Sequence, residues 1–207
     1  KVYYATNLKW TNVPLGELVR KKFPGKKVKI ENDATVAALA ELHIGSMRGK
    51  ATGILLTLGT GVGGGIIISE RVFSGAHGIG SEIGHMIVGE NFYDCNCGNN
   101  GCLETFASAT AIIKYAQKLI SEGRESIILE KAENDISKIT ARTIFEAYKE
   151  KDEVAQIVVK RFVNYLGIGI ANLVNVFDPE IFSLGGGVSR AFDFFIDDLR
   201  YEVSKHV

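Results

Sequence analysis

Hydrophobic and polar positions along the chain follow helical periods in some segments and strand periods in others. Helices are predicted at residues 14–22, from residue 34 to about His43, from Ala107 to about Ser121, from Ala141 to Lys149, and at 152–177, where Asp178 and Pro179 end the pattern. Strands are predicted at residues 27–31, 53–58, 65–69 and 181–184. Asp33 lies between a predicted strand and a predicted helix, and we expect its side chain to cap that helix. Because strands and helices interleave, the pattern predicts a layered α/β fold.

Glycine-rich segments interrupt this pattern at residues 59–65, 75–84 and 185–187. The first of them separates two apolar strands and predicts a tight hairpin. Gly59, Gly61 and Gly64 formally match the dinucleotide motif GxGxxG, but that motif requires a helix after the loop and here a β-branched strand follows. We therefore reject the match. The sequence also contains no GxxxxGK[ST] phosphate loop.

A glycine hairpin presents backbone N–H groups without side chains over them. With the Thr60 hydroxyl beside Gly59 and Gly61, such a turn is suited to holding phosphate oxygens. A second loop follows the strand at 181–184, is predicted to open a helix, and suits contact with the base and ribose of a nucleotide; its glycines are Gly185, Gly186 and Gly187. For either loop taken alone, a tight turn without a ligand remains the alternative.

The three cysteines of the chain lie within eight residues, near a histidine. His85, Cys95, Cys97 and Cys102 form a Cys₃His set, a combination typical of closed structural zinc sites. A disulfide is less favoured because three cysteines leave one unpaired, and three reduced cysteines in a loop remain the other alternative. Four protein ligands leave no open position, so we predict a structural zinc-binding loop at residues 85–102, with His85 its least secure ligand.

Length and charge narrow the possible functions. The 207 residues carry 24 basic and 24 acidic side chains, so no overall field attracts nucleic acid or anionic lipid, and the basic run at 21–29 is interpreted as a solvated turn. No secretory leader is evident at the start of the chain. We expect a cytoplasmic protein that binds neither nucleic acid nor membrane. Because the chain begins at Lys1 and stops just after an amphipathic stretch, both ends are expected to be cuts.

Five motifs together resemble the ROK family of sugar kinases and transcriptional repressors, and in particular its prokaryotic glucokinases. They are ENDATVAALAE (31–41), LTLGTGVGGGIII (56–68), GIGSEIGH (78–85), CNCGNNGCLETFAS (95–108) and LGGGVS (184–189). The resemblance implies the actin-like, ribonuclease-H-like fold, in which two α/β domains close over a sugar and ATP. The family's N-terminal DxGGT phosphate loop is missing, so residues 1–207 resemble the larger, C-terminal domain. By itself this domain is expected to be inactive.

The resemblance also implies a role for each matching residue. Asp33 corresponds to the catalytic base, and the residues corresponding to sugar ligands are Asn32, Asp33, Glu82, His85 and Glu104. The two glycine loops correspond to contacts with ATP, whose phosphates Mg²⁺ would bridge. The implied activity is ATP-dependent phosphorylation of a hexose, most directly glucose, by a cytoplasmic dimer or tetramer. From the residues alone, Asp33 as a helix cap and the two glutamates as surface acids remain alternatives.

Two other functions within the family stay open. The chain also resembles the sugar-sensing domain of a ROK repressor, which would carry a helix-turn-helix in place of the DxGGT strand. Kinases for N-acetylmannosamine, N-acetylglucosamine or fructose share the same motifs. The presence of both Asp33 and the GTG loop favours the kinase.

Overall fold

The computed structural model describes residues 1–5 and 8–207. Its strands are β1 (Val2–Ala5), β2 (Trp10–Val13), β3 (Gly53–Leu58), β4 (Val62–Ile68), β5 (Arg71–Val72) and β6 (Ile181–Gly185). Its helices are α1 (Leu15–Lys22), α2 (Asp33–Ile44), α3 (Glu104–Ala107), α4 (Ala109–Ser121), α5 (Ile127–Lys131), α6 (Ala141–Lys149), α7 (Glu153–Phe177) and α8 (Ile196–Ser204). Short 3₁₀ helices cover Ile83–His85, Ile136–Lys138 and Val188–Phe194. The predicted interleaving of strands and helices is confirmed.

The central sheet has the order β5-β4-β3-β6. β3 and β4 form the predicted antiparallel hairpin, in which Leu58 pairs with Val62, so the turn consists of residues 59–61. β6 pairs with β3 in parallel, with Gly185 opposite Thr57. Both glycine loops therefore leave the sheet at the carboxyl ends of neighbouring parallel strands, the edge at which α/β proteins usually bind ligands.

The sheet lies between two helical layers. Alternate residues of β3 point to opposite faces: Ile54, Leu56 and Leu58 join the main core with α4, α6, α7 and α8, whereas Leu55 joins a smaller core beneath α2. Burial on both faces explains why the strand is apolar at every position except Thr57.

α2 packs unusually close to β4 because both elements carry small residues. A Cβ atom added to Gly65 would overlap Ala38 and lie 2.9 Å from the carbonyl oxygen of Ala34, and one added to Gly63 would lie 2.9 Å from the Ala34 Cβ. The glycines predicted as a loop thus belong to the strand, which begins at Val62 and not at residue 65.

α7 confirms the long helix predicted from the apolar pattern. By length and composition alone it is able to cross a membrane, since its most apolar window of 18 residues has a mean hydropathy of 1.4. Within the domain it is the central core helix, however, and 56% of that window is buried. It ends at Asp178, whose φ of 42° is left-handed, directly before Pro179.

Three further local predictions are wrong. Residues 27–31 form no strand, because among the described residues no neighbouring strand pairs with them, and β1 pairs instead with β2. The helix predicted from Ala107 begins at Ala109, where Ser108 caps it and separates it from the short α3. The cap of α2 is Asn32 and not Asp33, as the hydrogen bonds described below show.

Candidate functional site

The candidate site lies where separate segments meet at the first residues of β4. The first turn of α2 reaches this point through Ala34, which packs over Gly63. The segment before His85 crosses the same strand: a Cβ atom on Gly64 would lie 2.6 Å from the side chain of Ile83. The absence of side chains on the two glycines therefore brings the start of α2 and the 3₁₀ helix Ile83–His85 to one end of β4.

Glu104 also contacts this end of β4. As the first residue of α3, it accepts a hydrogen bond from the Val62 N–H through Oε2 at 3.4 Å. Its other oxygen, Oε1, accepts from the Cys95 thiol at 3.1 Å. A Cβ atom on Gly61 would overlap the carboxylate, which could keep this position only if residue 61 has no side chain. This one carboxylate thus contacts both the glycine hairpin and the cysteine cluster.

Asn32 and Asp33 make different hydrogen bonds at the start of α2. Asn32 Oδ1 accepts a hydrogen bond from the Thr35 N–H at 3.1 Å and is the helix cap. Asp33 Oδ1 accepts from the Ala34 N–H at 2.9 Å, and the side chain is exposed at the first helical position.

Glu82 and His85 share one tight turn. Glu82 is exposed immediately before the 3₁₀ helix, and its carbonyl accepts the His85 N–H at 3.1 Å. This turn places the Glu82 carboxylate and the His85 imidazole three residues apart on a segment that is otherwise buried at Ile83 and Gly84.

The structure brings the four predicted metal ligands together. One ligand atom from each of His85, Cys95, Cys97 and Cys102 lies within 4.8 Å of all the others. Cys97 Sγ and Cys102 Sγ are 3.6 Å apart, and Cys95 Sγ is 3.6 Å from His85 Nδ1. A tetrahedral zinc ion with ordinary bond lengths would separate such ligand atoms by about 3.5–3.8 Å. The donor types fit zinc, and so do these two distances.

Local backbone geometry forms this cluster. Gly98 and Gly101 have φ angles of 95° and 87°, which suit glycine. The Asn100 side chain cross-links the loop: its Oδ1 accepts the Asn91 N–H at 2.8 Å and its Nδ2 donates to Asp94 at 2.8 Å. These contacts turn the chain sharply between the second and third cysteines.

The three thiols differ in acidity. Burial raises the pKa of Cys95 and of Cys102. The backbone N–H of Asn99 lowers the pKa of Cys97, which is exposed. Cys97 is therefore the thiol that most readily provides a thiolate for a metal ion.

α4 holds the glycine hairpin in place. The Gly59 carbonyl accepts the Ala109 N–H at 2.8 Å, and the Thr60 carbonyl accepts the Thr110 hydroxyl at 2.7 Å. Because these carbonyls are bound to α4, the turn is fixed with the Thr60 side chain exposed.

The second glycine loop lies next to the first. Gly186 has a φ of 88°, and a Cβ atom there would overlap the backbone of Leu58, the last residue of β3. The Ser189 hydroxyl donates to the Gly186 carbonyl at 2.7 Å, and the 3₁₀ helix Val188–Phe194 follows. Gly185 and Gly187 flank this position, so the loop runs beside the hairpin at one sheet edge.

Sequence reasoning missed a set of side chains behind Glu104. Asn91 and Tyr93 both donate to the carbonyl of Thr105, at 2.7 and 3.0 Å. Burial, helped by the charge of Glu104, raises the pKa of Tyr93 to about 12, which keeps its hydroxyl protonated. Arg161, on α7, binds Asn91. Nothing in the spacing of these residues indicates that they meet.

The fold and site together define a mixed α/β domain with two glycine loops at one sheet edge and a Cys₃His cluster beside a carboxylate. The model of the ROK family matches residues 1–207. The chain belongs to the ROK family, and its mixed α/β fold matches that of ROK sugar kinases.

Three relatives illustrate the range of this family. A glucokinase of Halalkalibacterium halodurans is 39% identical over 203 residues, which cover 96% of this chain and 60% of the glucokinase. A xylose repressor of Caldicellulosiruptor bescii is 38% identical, over 99% of this chain and 50% of the repressor. The crystal structure of a ROK glucokinase from Streptomyces griseus with glucose and AMPPNP superimposes with a TM-score of 0.88 and 34% identity, over 99% of this chain and 66% of the glucokinase. The chain thus spans between half and two thirds of the length of these relatives.

Proposed function

We propose that the chain is the larger, C-terminal domain of an ATP-dependent hexose kinase that converts glucose to glucose 6-phosphate. The observation that carries this proposal is the convergence at the start of β4. There, the helix that begins with Asp33 contacts Gly63 through Ala34, and the turn between Glu82 and His85 contacts Gly64 through Ile83. The carboxylate of Glu104 contacts the N–H of Val62, directly after the hairpin Gly59–Gly61. In this proposal, the carboxylates of these segments recognise sugar hydroxyls next to a loop suited to phosphate.

Asp33 is the general base in this proposal. Its exposed carboxylate accepts the proton of the attacking sugar hydroxyl while the hydroxyl oxygen bonds to the γ-phosphorus of ATP. The bond from that phosphorus to the β–γ bridging oxygen breaks, and ADP leaves. Because Asn32 caps α2, Asp33 is not needed for capping, which supports its assignment to the reaction.

Glu82, Glu104, Asn32 and His85 bind the sugar. A sugar presents hydroxyls that both donate and accept, so fixed carboxylates and an amide are suitable partners. His85 has one ring nitrogen, Nδ1, turned to Cys95. Nδ1 would then hold the metal, and the other nitrogen would be able to bind a sugar hydroxyl.

The two glycine loops bind ATP. Gly59, Thr60 and Gly61 hold phosphate oxygens, and Gly185, Gly186 and Gly187 contact the adenosine. Mg²⁺ bound together with ATP would neutralise part of the phosphate charge. The Streptomyces griseus glucokinase, which has the same fold, was crystallised with glucose and AMPPNP, and this supports a sugar and a nucleotide as the two ligands.

The cysteine cluster holds one zinc ion with a structural role. Zinc bound by His85 and the three thiolates would fix the loop that carries Glu104 and the turn that carries Glu82. Four protein ligands leave the metal without a position for substrate, so its contribution is to orient the carboxylates.

A repressor's sugar-sensing domain is the second candidate, favoured by the 38% identity to the Caldicellulosiruptor bescii xylose repressor. The presence of Asp33 and of the glycine hairpin supports the kinase instead. Kinases acting on N-acetylmannosamine, N-acetylglucosamine or fructose are further alternatives within the enzyme class.

The test is a coupled assay of ADP release by the intact protein, which carries this domain with the N-terminal domain that would supply the first phosphate loop. We expect ADP release that depends on glucose and is faster than with xylose, fructose or the two acetamido sugars. Sugar binding without ADP release, together with binding to operator DNA, would favour the repressor. The isolated chain is expected to be inactive.

A further inference from the structure

The carbonyl of Thr105 lacks its helical partner. In a continuous helix this oxygen would accept the N–H of Ala109, four residues later. That N–H donates instead to the Gly59 carbonyl at 2.8 Å, because the chain breaks at Ser108 between α3 and α4. The Asn91 amide at 2.7 Å and the Tyr93 hydroxyl at 3.0 Å take its place. The helix that begins with Glu104 is therefore held by side chains of the cysteine loop.

Arg161 determines which end of the Asn91 amide faces Thr105. Arg161 Nη2 donates to Asn91 Oδ1 at 2.8 Å, and the backbone N–H of Phe92 donates to the same oxygen at 2.9 Å. A guanidinium only donates hydrogen bonds, so it requires the amide oxygen on its own side. The amide nitrogen is then directed to the Thr105 carbonyl.

Aromatic rings hold Arg161 in this orientation. Its guanidinium carbon lies 4.6 Å from the ring centres of Phe106 and Tyr115 and 5.1 Å from that of Tyr165. Phe106 and Tyr165 are themselves stacked, with ring centres 3.8 Å apart. Within residues 1–5 and 8–207, no carboxylate forms an ion pair with Arg161. A half-buried cation is thus directed to a neutral amide.

Arg161 contacts α3 by two routes. One is direct, through the ring of Phe106, and the other runs through Asn91 to the carbonyl of Thr105. Both contacts fall on the two residues that follow Glu104, whose carboxylate lies at the junction of the hairpin and the cysteine cluster.

We propose that Arg161 and Asn91 are positioning residues that set the orientation of Glu104 for sugar binding. This inference rests on the proposed function, in which Glu104 accepts a sugar hydroxyl. Neither residue is among the sugar and ATP ligands proposed above. Their loss displaces the Glu104 carboxylate while the phosphate hairpin, which α4 holds separately through Ala109 and Thr110, keeps its place.

The test uses two variants of the intact protein. Asn91→Asp retains an oxygen acceptor for Arg161 and removes the amide donor to Thr105. Arg161→Lys retains the positive charge and loses the planar guanidinium group that lies against the aromatic rings. Lys160→Met is the control, because Lys160 is an exposed neighbour on α7. The measurements are the dissociation constant for glucose by calorimetry, the KM values for glucose and ATP, kcat, and the zinc content.

We expect both variants to raise the dissociation constant and KM for glucose at least fivefold. The KM for ATP should stay within twofold, zinc should remain at about one ion per chain, and the control should resemble the wild type. A general structural defect would instead change the KM for ATP and the zinc content as well, and that result would overturn the proposal.

Glu104→Gln separates this inference from the function on which it rests. If Glu104→Gln weakens glucose binding and the Asn91 and Arg161 variants leave it within twofold, the positioning role is wrong and the proposed site stands. If Glu104→Gln leaves glucose binding unchanged, the assignment of Glu104 to the sugar is wrong, and the positioning role falls with it. Should Arg161→Lys fail to fold, Asn91→Asp with Tyr93→Phe removes both donors to Thr105 and gives the same comparison.

Discussion

The Cys95 thiol and the Glu104 carboxylate are direct neighbours, with Sγ 3.1 Å from Oε1. One residue belongs to the Cys₃His cluster, and the other reaches the hairpin through Val62. The cluster and the candidate sugar site are therefore in direct contact, and we expect a change in one to alter the other.

Metal removal is predicted to weaken sugar binding. Without the metal the Cys95 thiol keeps its proton and occupies Oε1 of Glu104, and the loop loses its anchor. Disturbing the environment of a metal site commonly costs 10- to 100-fold in function, so we expect the dissociation constant for glucose to rise about 10-fold or more. Calorimetry before and after chelation measures this, and added zinc should restore the affinity. Unchanged affinity in protein shown to be free of metal would contradict the coupling.

Cys97→Ser is predicted to release the metal. Cys97 is exposed, so the substitution costs little packing, and any loss of stability reports on the missing ligand. We expect zinc to fall from about one ion per chain toward none, with the midpoint of thermal unfolding lower by about 5 °C or more. Asn96→Ser is a matched control at the adjacent exposed position. Wild-type protein that folds fully without metal would exclude the structural role.

Gly65→Ala is predicted to destabilise the domain through the contact between α2 and β4. The added methyl group would overlap Ala38. Because the backbones of α2 and β4 lie close together, the two elements have little room to move apart. Overpacking of this kind costs about 1 to 3 kcal/mol. Unfolding in urea measures the change. Gly187→Ala is the control, since nothing lies within 4 Å of a Cβ atom at that position. Equal effects of the two substitutions would show that close packing is not the cause.

The periodicity of hydrophobic residues was sufficient to predict the elements that are packed on both faces. The apolar run of β3 and the long pattern of α7 predict the central strand and helix correctly, because burial on both sides leaves few other arrangements. The run at 27–31 alternates like a strand but fails, since pairing depends on a neighbour that the pattern does not specify.

The short spacing of the three cysteines and His85 along the chain also predicted the metal-ligand cluster, whose four ligand atoms lie within 4.8 Å of one another. The link from Arg161 to Asn91 spans 70 residues and has no motif, because it depends on how α7 packs against α3 and α4. The cap of α2 was missed for a simpler reason: Asn32 and Asp33 are both good capping residues, and only the backbone geometry decides between them.

The measurement that tests the account most directly is the turnover of Asp33→Asn in the intact protein with glucose and ATP. The substitution preserves size and removes the proton acceptor, and Asn32 continues to cap α2. We predict a fall in kcat of about 100-fold or more, the usual contribution of a general base, with the dissociation constant for glucose within about threefold. Turnover within tenfold of the wild type would contradict the assignment of Asp33 as the base.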